Sequence, residues 1–289
     1  MKRRQFLKVF GAATGALLLP SRTELIARAS SDLPYDSKGV LVDLTRCIGC
    51  GWCQEACSQQ NGLSPGDIHN WSVDQDLLPL SAETWTLVTW KEMATGERVF
   101  AKRQCMHCLH PACVSACPVS ALEKSERGAV VYDATRCIGC RYCMVACPFG
   151  VPKFEWDKSI PLIRKCTFCA DRQAKGAEPA CTSVCPTGAL LFGDRVTLIA
   201  EAQARIEEHP DQYVDHIYGK DELGGTSWMY VSPVPFKELG FPTFEDQTVT
   251  GLSETVATFG TPAVALGVAL FLSSIYYRAR SKSESPAGE

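Results

Sequence analysis

The chain has 289 residues, enough for one large or two small domains, and its net charge of −3 leaves no electrostatic footprint for nucleic acid. Its 16 cysteines are far above ordinary usage, and the chain is too long for a small disulfide scaffold. The cysteines fall into four groups and none lies outside them: Cys47, Cys50, Cys53, Cys57; Cys105, Cys108, Cys113, Cys117; Cys137, Cys140, Cys143, Cys147; Cys166, Cys169, Cys181, Cys185.

The N-terminus reads Lys2-Arg3-Arg4-Gln5-Phe6-Leu7-Lys8, then an uncharged stretch from Val9 to Leu19, then the small-x-small pattern Ala27-Arg28-Ala29. These three regions predict a signal peptide over residues 1–29. Its paired arginines before Phe6-Leu7-Lys8 resemble the twin-arginine export signal. Val40 to Val42 and Val130 to Tyr132 are predicted as short strands entering cysteine loops. They belong to an internal repeat, in which Gly39 to Cys50 matches Ala129 to Cys140. A second repeat sets Cys117-Pro118-Val119-Ser120-Ala121-Leu122 against Cys185-Pro186-Thr187-Gly188-Ala189-Leu190.

Between the first two groups, residues 84–90 and 98–102 flank a loop containing Gly96 and predict a hairpin. Leu198, Ile199, Ala202 and Ile206 follow helical spacing up to Pro210. Residues 211–253 are rich in Gly, Pro and aromatics and read as an irregular extension. Thr255 to Tyr277 holds no charge, and as a helix it reaches roughly 34 Å, enough for a hydrocarbon core of about 30 Å. Acidic residues precede this run, and Arg278, Arg280 and Lys282 follow it, which predicts a cytoplasmic tail over 278–289 and residues 30–253 outside.

The groups at 47–57 and 137–147 have the spacing C-x2-C-x2-C-x3-C, the bacterial ferredoxin run, whose first three cysteines bind one cluster and whose fourth reaches another. Cys117, Cys147 and Cys185 precede proline as in that run, whereas Cys57 precedes Ser58. Disulfides between cysteines this close would be strained, and zinc has no use for the third closely spaced thiolate. Only residues 118–136 join groups two and three, so these pair with each other and groups one and four pair around them. The crossover rule then predicts four [4Fe–4S] sites. The first is Cys47, Cys50, Cys53, Cys185; the second Cys57, Cys166, Cys169, Cys181. The third is Cys105, Cys108, Cys113, Cys147; the fourth Cys117, Cys137, Cys140, Cys143.

Gln104-Cys105-Met106-His107-Cys108 and the run from Cys137 through Pro148-Phe149-Gly150-Val151-Pro152-Lys153-Phe154 resemble the four-cluster electron-transfer subunits of respiratory oxidoreductases. That family includes the beta subunits of formate dehydrogenase, dimethyl sulfoxide reductase and membrane-bound nickel–iron hydrogenase. Cys166-Thr167-Phe168-Cys169-Ala170-Asp171-Arg172 and Gly224-Gly225-Thr226-Ser227-Trp228 look most like the formate dehydrogenase member, while the chain's own twin-arginine signal is similar to the hydrogenase member.

The expected fold is α+β: two ferredoxin-like two-cluster units over 30–200, one inserted in the other at 58–159, an extension over 201–254 and a transmembrane helix over 255–277. The resemblance implies a periplasmic electron-transfer subunit, not itself catalytic, that relays electrons between a catalytic subunit and an integral membrane quinone-reactive subunit. The catalytic partner is a nickel–iron hydrogenase first and a formate dehydrogenase next. The alternatives are the relay subunit of a molybdopterin-type terminal reductase and a stand-alone iron–sulfur enzyme. His107 is expected to hydrogen-bond near a cluster rather than ligate it, and Arg141, Lys153 and Arg172 to offset cluster charge.

Overall fold

Strand β1 (Lys38–Asp43) leads the folded chain, with Val40, Leu41 and Val42 wholly buried. Both of its faces are covered, so its apolar residues run consecutively and do not alternate. The computed structural model describes residues 37–63, 71–73, 80–250 and 259–283; the predicted signal peptide lies outside them. After β1, Asp43 accepts hydrogen bonds from the Thr45 amide at 3.0 Å and hydroxyl at 2.6 Å, turning the chain into the first cysteine loop. Helix α1 (Trp52–Asn61) leaves that loop. Because Ser58 rather than proline follows Cys57, α1 continues to Asn61 and ends on left-handed Gly62, at φ 59°.

Strand β2 (Trp71–Ser72) runs parallel to β3 (Leu87–Glu92), which pairs antiparallel with β4 (Arg98–Arg103) across the Gly96 turn. The predicted hairpin is therefore present, with its first strand shifted two or three residues toward the turn. Next come α2 (Ala112–Ser115), β5 (Leu122–Lys124), β6 (Val130–Tyr132) and α3 (Tyr142–Ala146). They are followed by β7 (Lys153–Phe154), β8 (Ile163–Arg164), α4 (Ala170–Ala174), α5 (Ala180–Ser183), β9 (Leu190–Asp194) and α6 (Arg195–Glu208). Helix α6 buries Leu198, Ala202 and Ile206, the face its sequence spacing predicts.

The two sequence repeats have one structural counterpart. Strand β1 pairs antiparallel with β9 and α1 packs on α5; β6 pairs antiparallel with β5 and α3 packs on α2. Two ferredoxin-type halves of mixed helix and strand result, and the whole stretch from α2 to β8 lies in sequence between the paired strands β1 and β9.

The expected irregular extension over 211–253 needs correction at its centre. Strand β10 (Trp228–Val231) lies parallel to β1, pairing Val40 with Trp228 and Asp43 with Val231, and all four of its residues are buried. Tyr213, Ile217, Tyr218, Phe236, Leu239 and Phe241 are buried as well, so this segment completes the core. Residues up to Thr248 form one compact unit and residues from Val249 another.

In the second unit, α7 (Thr261–Ser283) overlaps the predicted membrane span, whose residues 255–258 lie outside the described ones. Among the described residues no helix is long and apolar enough to cross a membrane. Helix α7 starts inside the uncharged run and continues past it through Arg278, Arg280 and Lys282, which dilutes its apolar character.

The repeated turn supplies a first expected result. Asp43 is wholly buried and also binds Arg205 at 2.7 Å and Tyr213 Oη at 2.9 Å. Its counterpart Asp133 makes the same turn with Thr135, at 2.9 and 2.6 Å, on the surface. Asp43→Ala removes the buried carboxylate that Arg205, Tyr213 and Thr45 share, while Glu201 still pairs with Arg205 at 2.8 Å, and costs about 2 kcal/mol. Chemical denaturation should show that loss for Asp43→Ala and a far smaller one for Asp133→Ala; equal losses would mean that Asp43 acts only through its turn.

Candidate metal centres

The first C-x-x-C of each group places the residue before its second cysteine in left-handed backbone: Gly49 at φ 68°, His107 at 48°, Gly139 at 69° and Phe168 at 57°. This folds the loop back so that amides face the first sulfur. The Gly139 N–H donates to Cys137 Sγ and the Phe168 N–H to Cys166 Sγ, both at 3.4 Å. Glycine adopts this conformation freely, whereas His107 and Phe168 must be held in it. They hold each other: both are buried and their rings stack at 5.0 Å and 26°. Cys117, Cys147 and Cys185 open a shared Cys-Pro turn, closed by the Ser120, Gly150 and Gly188 amides on the cysteine carbonyls at 3.4, 3.0 and 3.4 Å.

None of the sixteen cysteines is in a disulfide. One cavity is lined by Cys47, Cys50, Cys53 and Cys185, another by Cys105, Cys108, Cys113 and Cys147. The remaining thiols act on one another electrostatically. Cys57 is pushed up to about 12, chiefly by burial and further by Cys181 and Cys169. Burial raises Cys166 well above its ordinary value, and Cys57 adds to the rise. Cys143 rises to about 11 through burial and its neighbours Cys137, Cys140 and Cys117. Among the described residues, no three or more of these side chains converge on a single ion.

Charge effects between thiols of different sets link the sites in succession. Cys53 of the first set is raised to about 12 by burial and then by Cys181 of the second, although Lys102 opposes the rise. Cys105 of the third set adds to the rise of Cys166 in the second. Cys113, pushed to about 12 mainly by burial, is further raised by Cys143 of the fourth set. The linkage runs first, second, third, fourth. At one end Cys50, Ile48 and Trp52 are exposed; at the other the fourth-site loop and α3 expose Ile138, Tyr142 and Val145.

The donor set fits iron–sulfur clusters. Buried neutral thiols are costly to ionise alone, and a metal centre is what stabilises them as thiolates. Amide donors to sulfur supply the surrounding hydrogen bonds such centres use. Arg172 offsets part of the burial effect on Cys169, as the sequence suggests, and other cations act on the remaining thiols. Arg141 lies over the Trp156 ring at 4.9 Å, and Arg172 binds the Glu178 carbonyl at 2.9 Å and Gln60 at 3.2 Å. Lys102 and Lys165 are instead buried outright and Lys124 partly so. Lys165 Nζ bonds the Val130 and Cys166 carbonyls at 2.5 and 3.0 Å, and Lys124 Nζ the Gly128 and His107 carbonyls at 2.6 and 2.8 Å.

His107 is wholly buried and its Nδ1 accepts the Val130 amide at 2.8 Å. Burial, then the charges of Lys165, Lys124 and Lys102, hold its pKa well below the usual value, so the ring is neutral with its proton on Nε2. That nitrogen has no hydrogen-bond partner among the described residues. The sequence carries no signal for the three lysines, because each is an ordinary strand or strand-end residue that the fold turns inward.

Residues 97–195 match the model of the 4Fe-4S dicluster domain and residues 40–59 that of the 4Fe-4S binding domain. A protein of Nitratidesulfovibrio vulgaris is 42% identical over 275 residues, covering 92% of this chain and 71% of that one. The hydrogenase-2 operon protein HybA of Escherichia coli O157:H7 is 37% identical over 292 residues, 89% of this chain and 88% of its own length. The iron–sulfur subunit of nitrate-inducible formate dehydrogenase of Escherichia coli K12 is 37% identical over 225 residues, 75% of this chain and 76% of its own.

Proposed function

We propose a function from one premise: this chain belongs to the [4Fe–4S] electron-transfer subunit family of respiratory oxidoreductases. It relays single electrons along four clusters, between a catalytic subunit on the periplasmic side and a quinone-reactive subunit in the membrane. The observation that carries this reading is the row of four thiol sets with an exposed end on either side. Each cluster, when bound, takes up and releases one electron.

The chain's own part is to hold and space the sites. The proposed ligand sets are the four that the cysteine spacing suggests, each completed by a cysteine from the paired group. The His107–Phe168 stack ties the second-site loop to the third, where one half of the fold meets the other. Exposed Ile48 and Trp52 at one end, and Ile138, Tyr142 and Val145 at the other, offer apolar contact to partner subunits. A hydrogenase catalytic partner is favoured because the likeness to HybA runs along 89% of the chain, against 75% for the formate dehydrogenase subunit.

The uncharged run 255–277 anchors the chain, with residues 278–289 in the cytoplasm, and the twin-arginine signal exports it folded with its clusters in place. The apolar residues of α7, among them Val264, Leu266, Val268, Phe271 and Leu272, are exposed within their unit, and a helix apolar on all sides calls for an apolar surrounding. Purified from detergent-treated membranes, the protein should carry about sixteen irons and as many sulfides per chain, together with a subunit holding nickel. Iron near half that value would sink the count of four clusters, recovery from the soluble fraction would sink the anchor, and molybdenum in place of nickel would select the formate dehydrogenase-like partner.

A further inference from the structure

We propose that Lys102 is a fixed positive charge that raises the reduction potentials of the first and second clusters together, and so sets where an electron rests along the row. Lys102 is 2% exposed. Its Nζ donates to Thr86 Oγ1 at 2.5 Å and Gln104 Oε1 at 3.0 Å, and lies over the Trp228 ring at 4.6 Å. Both oxygens are neutral, and no carboxylate pairs with Lys102 among the described residues. Gln104 is itself held by Tyr230, at 2.6 Å, so the ammonium is fixed in place by a strand of the core.

A buried ammonium without an acid needs negative charge from elsewhere. The groups around Lys102 that provide it are thiols of two sites: Cys53 from the first, Cys181 and Cys166 from the second. Lys102 in turn favours ionisation of Cys47, Cys53, Cys57 and Cys166. It also lines the first cavity directly. A four-thiolate cluster gains one further negative charge on reduction, and a nearby ammonium in a low-dielectric interior stabilises that gain. Because Lys102 lines the first cavity and thiols of both sites act on it, its effect is shared by both and weakens toward the third and fourth. It carries no electron; it tunes the sites that do.

The test is a potentiometric titration of the intact complex, followed by paramagnetic resonance, for the parent and for Lys102→Met, Lys102→Gln and Lys102→Arg. Both neutral variants should shift the reduction equilibrium of two clusters at least tenfold toward the oxidised form, 59 mV for one electron. The fourth-site cluster should move less than twofold, and Lys102→Arg should keep the parental potentials within threefold. Loss of the first two clusters in both neutral variants, with Lys102→Arg retaining them, would also support a requirement for charge. Unmoved potentials, equal shifts at all four sites, or loss of the clusters in all three variants would overturn the proposal. The inference rests on the electron-relay reading. A parent complex without four-iron signals would overturn that reading itself, whereas intact signals with unmoved potentials would remove only the role of Lys102.

Discussion

Cys185→Ser is expected to abolish the signal of the cluster held by Cys47, Cys50 and Cys53, or convert it to a three-iron form, while the cluster at Cys166, Cys169 and Cys181 survives. In sequence Cys185 is a neighbour of the latter three. In the fold, its Pro186 turn leads into β9, which pairs antiparallel with β1, and β1 delivers the first cysteine loop. Cys185 accordingly lines the cavity of Cys47, Cys50 and Cys53, and its charge raises Cys47 after the larger effect of burial. Cys57→Ser should give the complementary loss at the second site, since Cys57 sits on α1 one turn beyond Cys53 and faces Cys181 and Cys169. Paramagnetic resonance of the two variants beside Cys147→Ser should show three different clusters affected. If Cys185→Ser and Cys166→Ser altered one and the same signal, the crossed assignment would be wrong.

Gly219→Ala should be among the most damaging changes outside the cysteines. Gly219 has φ 90°, a region that side chains rarely tolerate. A Cβ there would press into the Trp228 carbonyl oxygen and come within 2.6 Å of Thr226 Oγ1. Neither can yield easily, because Trp228 is in β10 beside β1, and Thr226 Oγ1 bonds both the Gly219 carbonyl at 3.2 Å and the Trp228 carbonyl at 2.6 Å. Backbone strain and overpacking together cost about 4 kcal/mol. Trp228 also backs the Lys102 ammonium and tilts against Phe168 at 5.8 Å, so the second cluster should become labile as well. Thermal unfolding and iron retention measure both effects; a variant as stable as the parent would show that the 219–228 contact relaxes at little cost.

The cysteine groups were legible because ligand spacing is local: a C-x-x-C loop brings its own sulfurs together whatever surrounds it. The repeats were legible for the same reason, since Asp43-x-Thr45-Arg46-Cys47 and Asp133-x-Thr135-Arg136-Cys137 build one turn twice. Strand β10 was not legible. It is four residues long, is buried throughout and shows no alternation, and its partner β1 lies far earlier in the chain. Lys102 was hidden by the opposite cue, because a charged residue in a hairpin strand ordinarily faces water, and here it turns inward among thiols. His107 and Phe168 occupy positions where the matching loops use glycine, Gly49 and Gly139. That substitution was visible in the sequence, but the stack that makes it tolerable joins two loops and exists only in the fold.

The placement of β1 governs the timing of the protein's manufacture. Its neighbours, β9 and β10, begin at residues 190 and 228, whereas β1 ends at residue 43. At a synthesis rate of about 5–20 residues per second, β1 emerges from the ribosome about 7 to 30 s before β9 can join it. During that interval a bare apolar strand and the first cysteine loop stand open to solvent and to wrong partners. The inner half meets no such delay, because β5 and β6 are adjacent in the chain. The nascent chain therefore matures from the inside outward, and the outer half closes only as its last core strand arrives.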